Sequence, residues 1–406
     1  MYVLAAALLA ASIDTLPSEL TLADAYRRAR EASGAIRAGE ARVDEARGRL
    51  IAARALRDNP SLDAALGRRR PPRGTLDQPS RTDVELGIEQ TFVLGGKRAG
   101  RVRVATAAVE REVASSGDVT RRLLRDVGAQ FYEAARTQER TRLAATSEGA
   151  AEELVRVARV RLAQGDVAAL DVNLAETLLA RARASRLSFG ADRVTAIALL
   201  KGLLRLPPDA EIAPDATVNL ESLAPELPPP TWNDVLIGRP DLRALEAEVR
   251  EAQAEIETAR ALRWPDATPA VRYSREEGTP IAWAGLTITL PVSNRGAGER
   301  LAAESRLRRV RTELEATKAS VEADLRAAYA SYGARRAAAQ SLAAIIGTLD
   351  ESLELARRSY ESGQIGLGDL LVVRRETLEA RAEAIDHIFG AAAARVQLEA
   401  AMGVLR

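Results

Sequence analysis

The 406 residues carry 58 Lys and Arg against 57 Asp and Glu, a net charge of +1, so no charge imbalance recommends nucleic acid or an anionic membrane surface as a partner. There is no Cys, one His (His387) and two Met, which removes disulfides and thiolate chemistry and leaves little for imidazole catalysis or soft metal binding. Only 3% of residues are aromatic while 28% are charged, the profile of long helices packed side by side and not of a bulky globular core.

The chain opens with an apolar run, Val3 to Ala11, that ends in small residues. The run has the look of a secretory signal without its basic n-region, and reads equally well as the start of a buried helix. Residues 1–20 are therefore set apart as a possible signal or N-terminal segment. Nowhere do 18 apolar residues follow one another, so any membrane span has to be made of β-strands.

Two copies of one pattern fill the remainder. RAGEARVDEA at 37–46 and RALEAEVREA at 243–252 agree at seven of ten positions, and ARALR occurs at 53–57 and again at 259–263. QTFVLGGKRAG at 90–100 lies over ITLPVSNRGAG at 288–298, Gly165 and Asp171 lie over Gly363 and Asp369, and ETLLARA at 176–182 matches ETLEARA at 376–382. The first repeat spans 21–204 and the second 233–406. Between them, 205–232 holds seven prolines, which cannot continue a helix and read as an extended connector.

Each repeat has the same predicted order. A helix from Leu22 to Arg57 stops at Asn59-Pro60, and its counterpart from Leu242 to Arg263 stops at Trp264-Pro265, since a residue before Pro is pushed out of the helical region. A β-hairpin follows. In the first repeat Thr82 to Leu94 alternates, with Val84, Leu86, Ile88 and Phe92 on one face and Asp83, Glu85, Gly87, Glu89 and Thr91 on the other. In the second, Ile281 to Val292 sets Ala282, Ala284, Leu286, Ile288 and Leu290 against Thr287 and Thr289. The hairpin partners fall near Ser61 to Gly67 and Ala267 to Arg275, and strands of about 9 to 11 tilted residues are long enough to span a bilayer.

Arg98 to Gln164 and Gly296 to Ser362 are free of Pro, so each predicts one helix of 67 residues, roughly 100 Å long. Stepping alternately four and three from Leu307 to Tyr360 gives sixteen positions of which thirteen are apolar, a 3.5-residue period that implies coiled-coil packing. Each long helix ends at a glycine turn, Gly165 or Gly363, and a second helix runs back from Asp171 to Lys201 or from Asp369 to Leu398. Four strands per chain cannot close a barrel in lipid, so several chains must associate, although this count does not choose three.

This arrangement resembles the TolC family of outer-membrane efflux proteins. The resemblance rests on the RAxEAxVxEA segments, ARALR before Pro, FVLGGKRAGR at 92–101, Arg159 through Gly165 to Asp171 with ETLLARA, and Tyr360 with Gly363, Asp369 and ETLEARA. The GGKR turn looks most like the heavy-metal and cation branch of resistance-nodulation-division systems. The resemblance implies a mainly α fold with a small membrane β-barrel contribution: a homotrimer with a periplasmic α-barrel and a 12-stranded β-barrel, four strands from each chain, in the outer membrane of a Gram-negative bacterium. It implies a passive exit duct partnered by a periplasmic membrane-fusion adaptor and an inner-membrane pump, with no cofactor, metal site or nucleic acid. Asp369 matches the aperture carboxylate, and Tyr360 the tip tyrosine whose hydroxyl bonds an Asp, here Asp171. Gly165 and Gly363 would shape the tips for adaptor docking. Ile365 stands where an Arg lock would be and Leu154 where a Gln would be, which departs from the full latch. A helix-capping role for Asp369 and a core role for Tyr360 remain open beside the gate.

Other motifs carry less. Gly95-Gly96-Lys97-Arg98 lacks phosphate-loop spacing and reads as a strand-to-helix turn. Arg68, Arg69, Arg70 and Arg73 with Pro71 and Pro72 suit an exposed loop near anionic lipopolysaccharide. A soluble coiled-coil scaffold would explain the long helices but not two equivalent hairpins. No nucleophile, base or metal cluster supports an enzyme.

Overall fold

The computed structural model describes residues 19–56, 58–69, 81–215, 217–276, 279–293 and 295–405. The suggested signal at 1–20 therefore lies outside the described residues but for its last two, as does the basic stretch beyond Arg69. In chain order the elements are β1 (Glu19–Leu20), α1 (Leu22–Ala32), α2 (Gly34–Arg54), β2 (Ser61–Arg69), β3 (Arg81–Glu89), β4 (Phe92–Val93), α3 (Lys97–Gln164) and α4 (Ala169–Leu204). There follow β5 (Ala213–Pro214), α5 (Leu220–Leu223), α6 (Trp232–Gly238), α7 (Pro240–Ala261), β6 (Asp266–Glu276), β7 (Thr279–Thr289), α8 (Ala297–Glu361) and α9 (Leu367–Met402). The two long helices run unbroken for 68 and 65 residues.

Beyond the short helix α5 inside the connector expected to be extended, two details differ from the sequence expectation. The helix expected over Leu22 to Arg57 is two helices, because Ser33 leaves helical geometry at φ −69°, ψ 117° and caps α1. Ser and Gly at positions 33 and 34 are weak helix formers, so the break falls there. The strand expected over Thr82 to Leu94 pauses at Gln90 and Thr91. Gln90 N donates to the Pro269 carbonyl at 3.2 Å, but Pro269 has no N–H to return the bond, so the ladder skips one rung and resumes in the same register with Phe92 opposite Ala267.

Contacts divide the chain into two compact units, each drawing on both sequence repeats. One comprises 35–118 and 240–320 and holds the sheet, ordered β2, β3, β6, β7, every neighbour antiparallel. Below it, the α7 carboxylate Glu251 is buried and lies 3.2 Å from both Arg111 and Arg306. Burial raises the pKa of neighbouring Glu255, against the pull of Arg306.

The other unit comprises the first residues to Gly34, then 119–239 and 321 onward. Its core joins Leu124, Val127 and Phe131 of α3 to Ala25 and Ala29 of α1, Leu200 and Leu204 of α4, and Phe389 and Val396 of α9. Ala, the commonest small residue here, lets helix backbones approach closely, and the few aromatics fill what remains. The proline-rich connector is pinned rather than loose. Ala213 and Pro214 pair in parallel with Glu19 and Leu20, the Tyr332 hydroxyl donates to the Pro225 carbonyl, and Arg336 Nε donates to Ala224 at 3.0 Å.

Phe131 is only 1% exposed, so Phe131→Ala is expected to destabilise this core by about 3–5 kcal/mol. The check is the denaturation midpoint of the detergent-solubilised protein followed by helical circular dichroism.

Candidate functional site

At the end of the helical unit all four long helices meet in one apolar cluster. Leu154, Val155 and Ala158 of α3 pack with Val172 and Ala175 of α4, Tyr360 of α8, and Leu367 and Leu370 of α9. The heptad seam brings these residues to the same side, and the two turns close the hairpins. Gly165 and Gly363 have φ of +81° and +76°, the left-handed conformation that a Cβ disfavours. Gly165 N donates to Leu162 and Asp166 N to Arg161, while Gly363 N donates to Tyr360 and Gln364 N to Ser359, at 2.8–3.0 Å. This is the Schellman arrangement that ends a helix by satisfying its last carbonyls.

Asp171 and Asp369 occupy the third positions of the return helices. Each carboxylate accepts from the backbone N–H three residues earlier, Ala168 and Gly366 respectively, at 3.3 Å. A negative group here also meets the positive end of the helix dipole. Asp369 is exposed and Asp171 half-buried.

The Tyr360–Asp171 bond implied by the family resemblance is not made within this chain. Tyr360 is 4% exposed, and its hydroxyl has no hydrogen-bond partner among the described residues. Leaving such a group unsatisfied costs about 1–3 kcal/mol. Ile365 packs against the apolar cluster and Leu154 belongs to it, so both positions that depart from the polar latch contribute apolar contact instead.

Two arginines escaped the sequence reading. The Arg161 guanidinium lies 5.1 Å from the Tyr360 ring centroid and donates from Nη1 to the Tyr360 carbonyl at 3.1 Å, clamping the last turn of α3 to that of α8. Arg374, buried on α9, donates to the α3 carbonyls of Ser147 and Ala150 at 2.9 and 3.2 Å, and burial lowers its pKa. Neither carries a sequence mark in a chain so rich in arginine. Along the first hairpin, Arg159–Glu176 and Arg183–Glu152 link α3 to α4 at 2.6 and 2.8 Å, with Arg186–Glu148 beside them. Across the second hairpin, Arg381 pairs with Asp350 at 2.6 Å.

The sheet unit supplies a different surface. Cross-strand partners share a face, so the register puts Leu62, Ala64 and Leu66 of β2 beside Val84, Leu86 and Ile88 of β3. Pro269, Val271 and Tyr273 of β6 and Ala282, Ala284, Leu286 and Ile288 of β7 continue that face. Arg275, the β6 partner of Val84, stands at one end of this face; the positions named are otherwise apolar and bare: Leu66 is 80% exposed and Leu62 73%. The opposite face carries Asp63, Asp83, Glu85, Glu89, Thr287 and Thr289. Strands β2 and β7 are its edges, with no further strand partner among the described residues. Among the described residues no helix is long and apolar enough to cross a membrane, and no group of three His, Cys, Asp or Glu is placed to hold a metal ion.

The family model for outer membrane efflux proteins matches residues 25–204 and 232–404. The chain belongs to that family and is an outer-membrane protein with the channel fold in which long helical hairpins join a β-barrel section. It is 26% identical to the cobalt-zinc-cadmium resistance protein CzcC of Cupriavidus metallidurans over 89% of this chain and 85% of that one. Among solved structures, CusC, described with transmembrane channel formation, superposes with a TM-score of 0.78 at 17% identity, covering 94% of this chain and 92% of that one. The open-state MtrE outer membrane channel of Neisseria gonorrhoeae gives 0.76 at 20% identity, covering 94% and 88%.

Removing the clamp should loosen the tip. Arg161→Ala is expected to speed amide exchange of Gly363 and Gln364 by about ten-fold, the equivalent of roughly 1–2 kcal/mol of lost stacking and charged hydrogen bonding. Arg161→Lys, which keeps the charge without the planar fork, should recover only part. Hydrogen–deuterium exchange mass spectrometry over 357–366 reads this, and unchanged exchange removes Arg161 from the role.

Proposed function

We propose that three copies of this chain form the outer-membrane exit duct of a tripartite efflux pump, a passive conduit and not an enzyme. The observation that carries the proposal is the bare, predominantly apolar face of a four-stranded sheet with two edges unpartnered among the described residues. In hydrocarbon an unpaired backbone N–H or C=O costs several kcal/mol, so open edges in lipid must find partners. Strand β2 runs antiparallel to β7 by the alternation of the sheet, so β7 of one copy laid against β2 of the next continues an antiparallel ladder. Copies added this way keep the apolar face outward and the polar face inward. Strand alternation supports closure by whole copies. The family resemblance supplies the number three, and hence twelve strands.

The hairpin tips then form the periplasmic end, where Gly165 and Gly363 present compact turns to a membrane-fusion adaptor that connects to an inner-membrane resistance-nodulation-division pump. Three copies of Asp369 near the axis would make an anionic constriction that favours cations. Its capping bond to Gly366 orients the carboxylate without neutralising it. Tyr360, with its unsatisfied hydroxyl, and Asp171 on the neighbouring hairpin are a pair that one state of the aperture would join and another separate. The proposed cargo is divalent metal cations, in line with the cobalt, zinc and cadmium named for the similar CzcC protein.

Expected behaviour follows in two measurements. The protein should leave the membrane fraction only with detergent and run as a heat-sensitive trimer; a water-soluble monomer would sink the proposal. Asp369→Asn keeps a capping acceptor but removes the charge, so in planar bilayers the potassium-over-chloride permeability ratio should fall, by about two-fold or more. An unchanged ratio removes Asp369 from the aperture.

A further inference from the structure

The polar face of the sheet contains a row that the duct reading does not use. Asp63 on β2, Gly87 on β3, Arg272 on β6 and Trp283 on β7 are successive cross-strand partners. They therefore stand side by side across all four strands, over roughly 14 Å at the usual strand spacing. Arg272 does not stand up from this row. Its Nη1 donates to Glu85, two residues along β3 from Gly87 and on the same face, and its guanidinium carbon lies 5.4 Å from the Trp283 ring centroid.

Two glycines make this flat arrangement possible. A Cβ at Gly87 would sit 3.4 Å from Arg272 Nε and 3.6 Å from its Cγ, so the arm of Arg272 lies across the space that a side chain would fill. A Cβ at Gly285 would sit 2.5 Å from Trp283 Cζ3 and 3.2 Å from Cε3, so the indole lies over bare backbone. The two bulkiest groups of the row are thus laid along the wall. Trp283 is still 43% exposed, which leaves part of the ring facing open space.

We propose that this row is a selectivity band for hydrated cations in the membrane section of the duct. In it the Arg272–Glu85 pair cancels two opposite charges on the wall, and Gly87 and Gly285 keep Arg272 and Trp283 out of the bore. The inference rests on the reading that the polar face lines the lumen. A fixed guanidinium in a pore with low-dielectric walls repels cations over several ångströms, and an adjacent carboxylate removes most of that field. With the pair intact, the remaining carboxylates Asp63 and Glu89 on the same face bias the band toward cations. The two partners consequently have opposite effects when removed singly, which a purely structural ion pair has no reason to show.

Planar-bilayer recordings of the full-length purified channel in a potassium chloride gradient test this. Arg272→Gln should raise the potassium-over-chloride permeability ratio and Glu85→Gln should lower it, each on the order of two-fold, and the double variant should return close to wild type. Arg272→Lys, which keeps the charge, should stay at the wild-type ratio and guards against a folding defect in the neutral variant. Gly285→Ala should lower single-channel conductance by lifting the indole into the bore, and Trp283→Ala in that background should restore it. Single variants that share the wild-type ratio, or that shift it in the same direction, overturn the proposal while leaving the duct intact. A wild-type protein that inserts no channels at all would instead overturn the duct reading beneath it.

Discussion

A strand at the edge of a sheet leaves a row of backbone N–H and C=O groups without partners, and hydrocarbon offers none. Much of this protein's organisation follows from that constraint. Among the described residues the antiparallel sheet is predominantly apolar on one side and polar on the other, with edges at β2 and β7. Within a single copy the apolar side is bare and the edges are open. Both are faults in an isolated soluble domain and both are removed by association edge to edge in a membrane. The duplication serves the same end, because each repeat contributes one hairpin and the register between β3 and β6 joins the two into a continuous surface.

The helical unit solves a different problem with the same economy of residue types. Its small side chains permit close helix approach over great length, and the scarce aromatics sit where several helices converge, as Phe131 and Phe389 do. At the tip the four helices converge again, and the balance of forces shifts. Where the family pattern places polar locking residues, this chain has Leu154 and Ile365, which join an apolar cluster. The polar work that remains falls to Arg161, stacked on Tyr360 and bonded to its carbonyl. Apolar contact is not screened by salt, whereas exposed ion pairs are. The tip of this chain is therefore held within itself mainly by packing, with the arginines Arg161 and Arg374 bonding across the two hairpins. The aspartates that the aperture would use are already oriented as helix caps. Capping and gating are compatible roles because a capping carboxylate keeps its charge.

Much of the plan was legible in the sequence because it depends on periodicity and on residues with restricted backbones. Alternation in Val84, Leu86 and Ile88 marked a strand with one apolar face; the absence of Pro marked the long helices; and Gly165 and Gly363 marked their ends. These signals are local, and each residue's neighbours along the chain are enough to reveal them. The break at Ser33 and the skipped rung at Pro269 were less visible. A weak helix former does not always end a helix, and a missing N–H matters only once the partner strand is known to face it.

What tertiary structure alone decided are the contacts between residues far apart in sequence. Arg161 and Arg374 look like any other arginine on a helix until α8 and α3 are brought beside them. Gly87 and Gly285 look like weak points in two strands until Arg272 and Trp283 are laid over them. Sequence by itself determined most of the elements, their order and their faces, because backbone chemistry and hydrophobic period act over a few residues. Which side chain meets which across those elements was settled by register and packing, which depend on the whole chain at once.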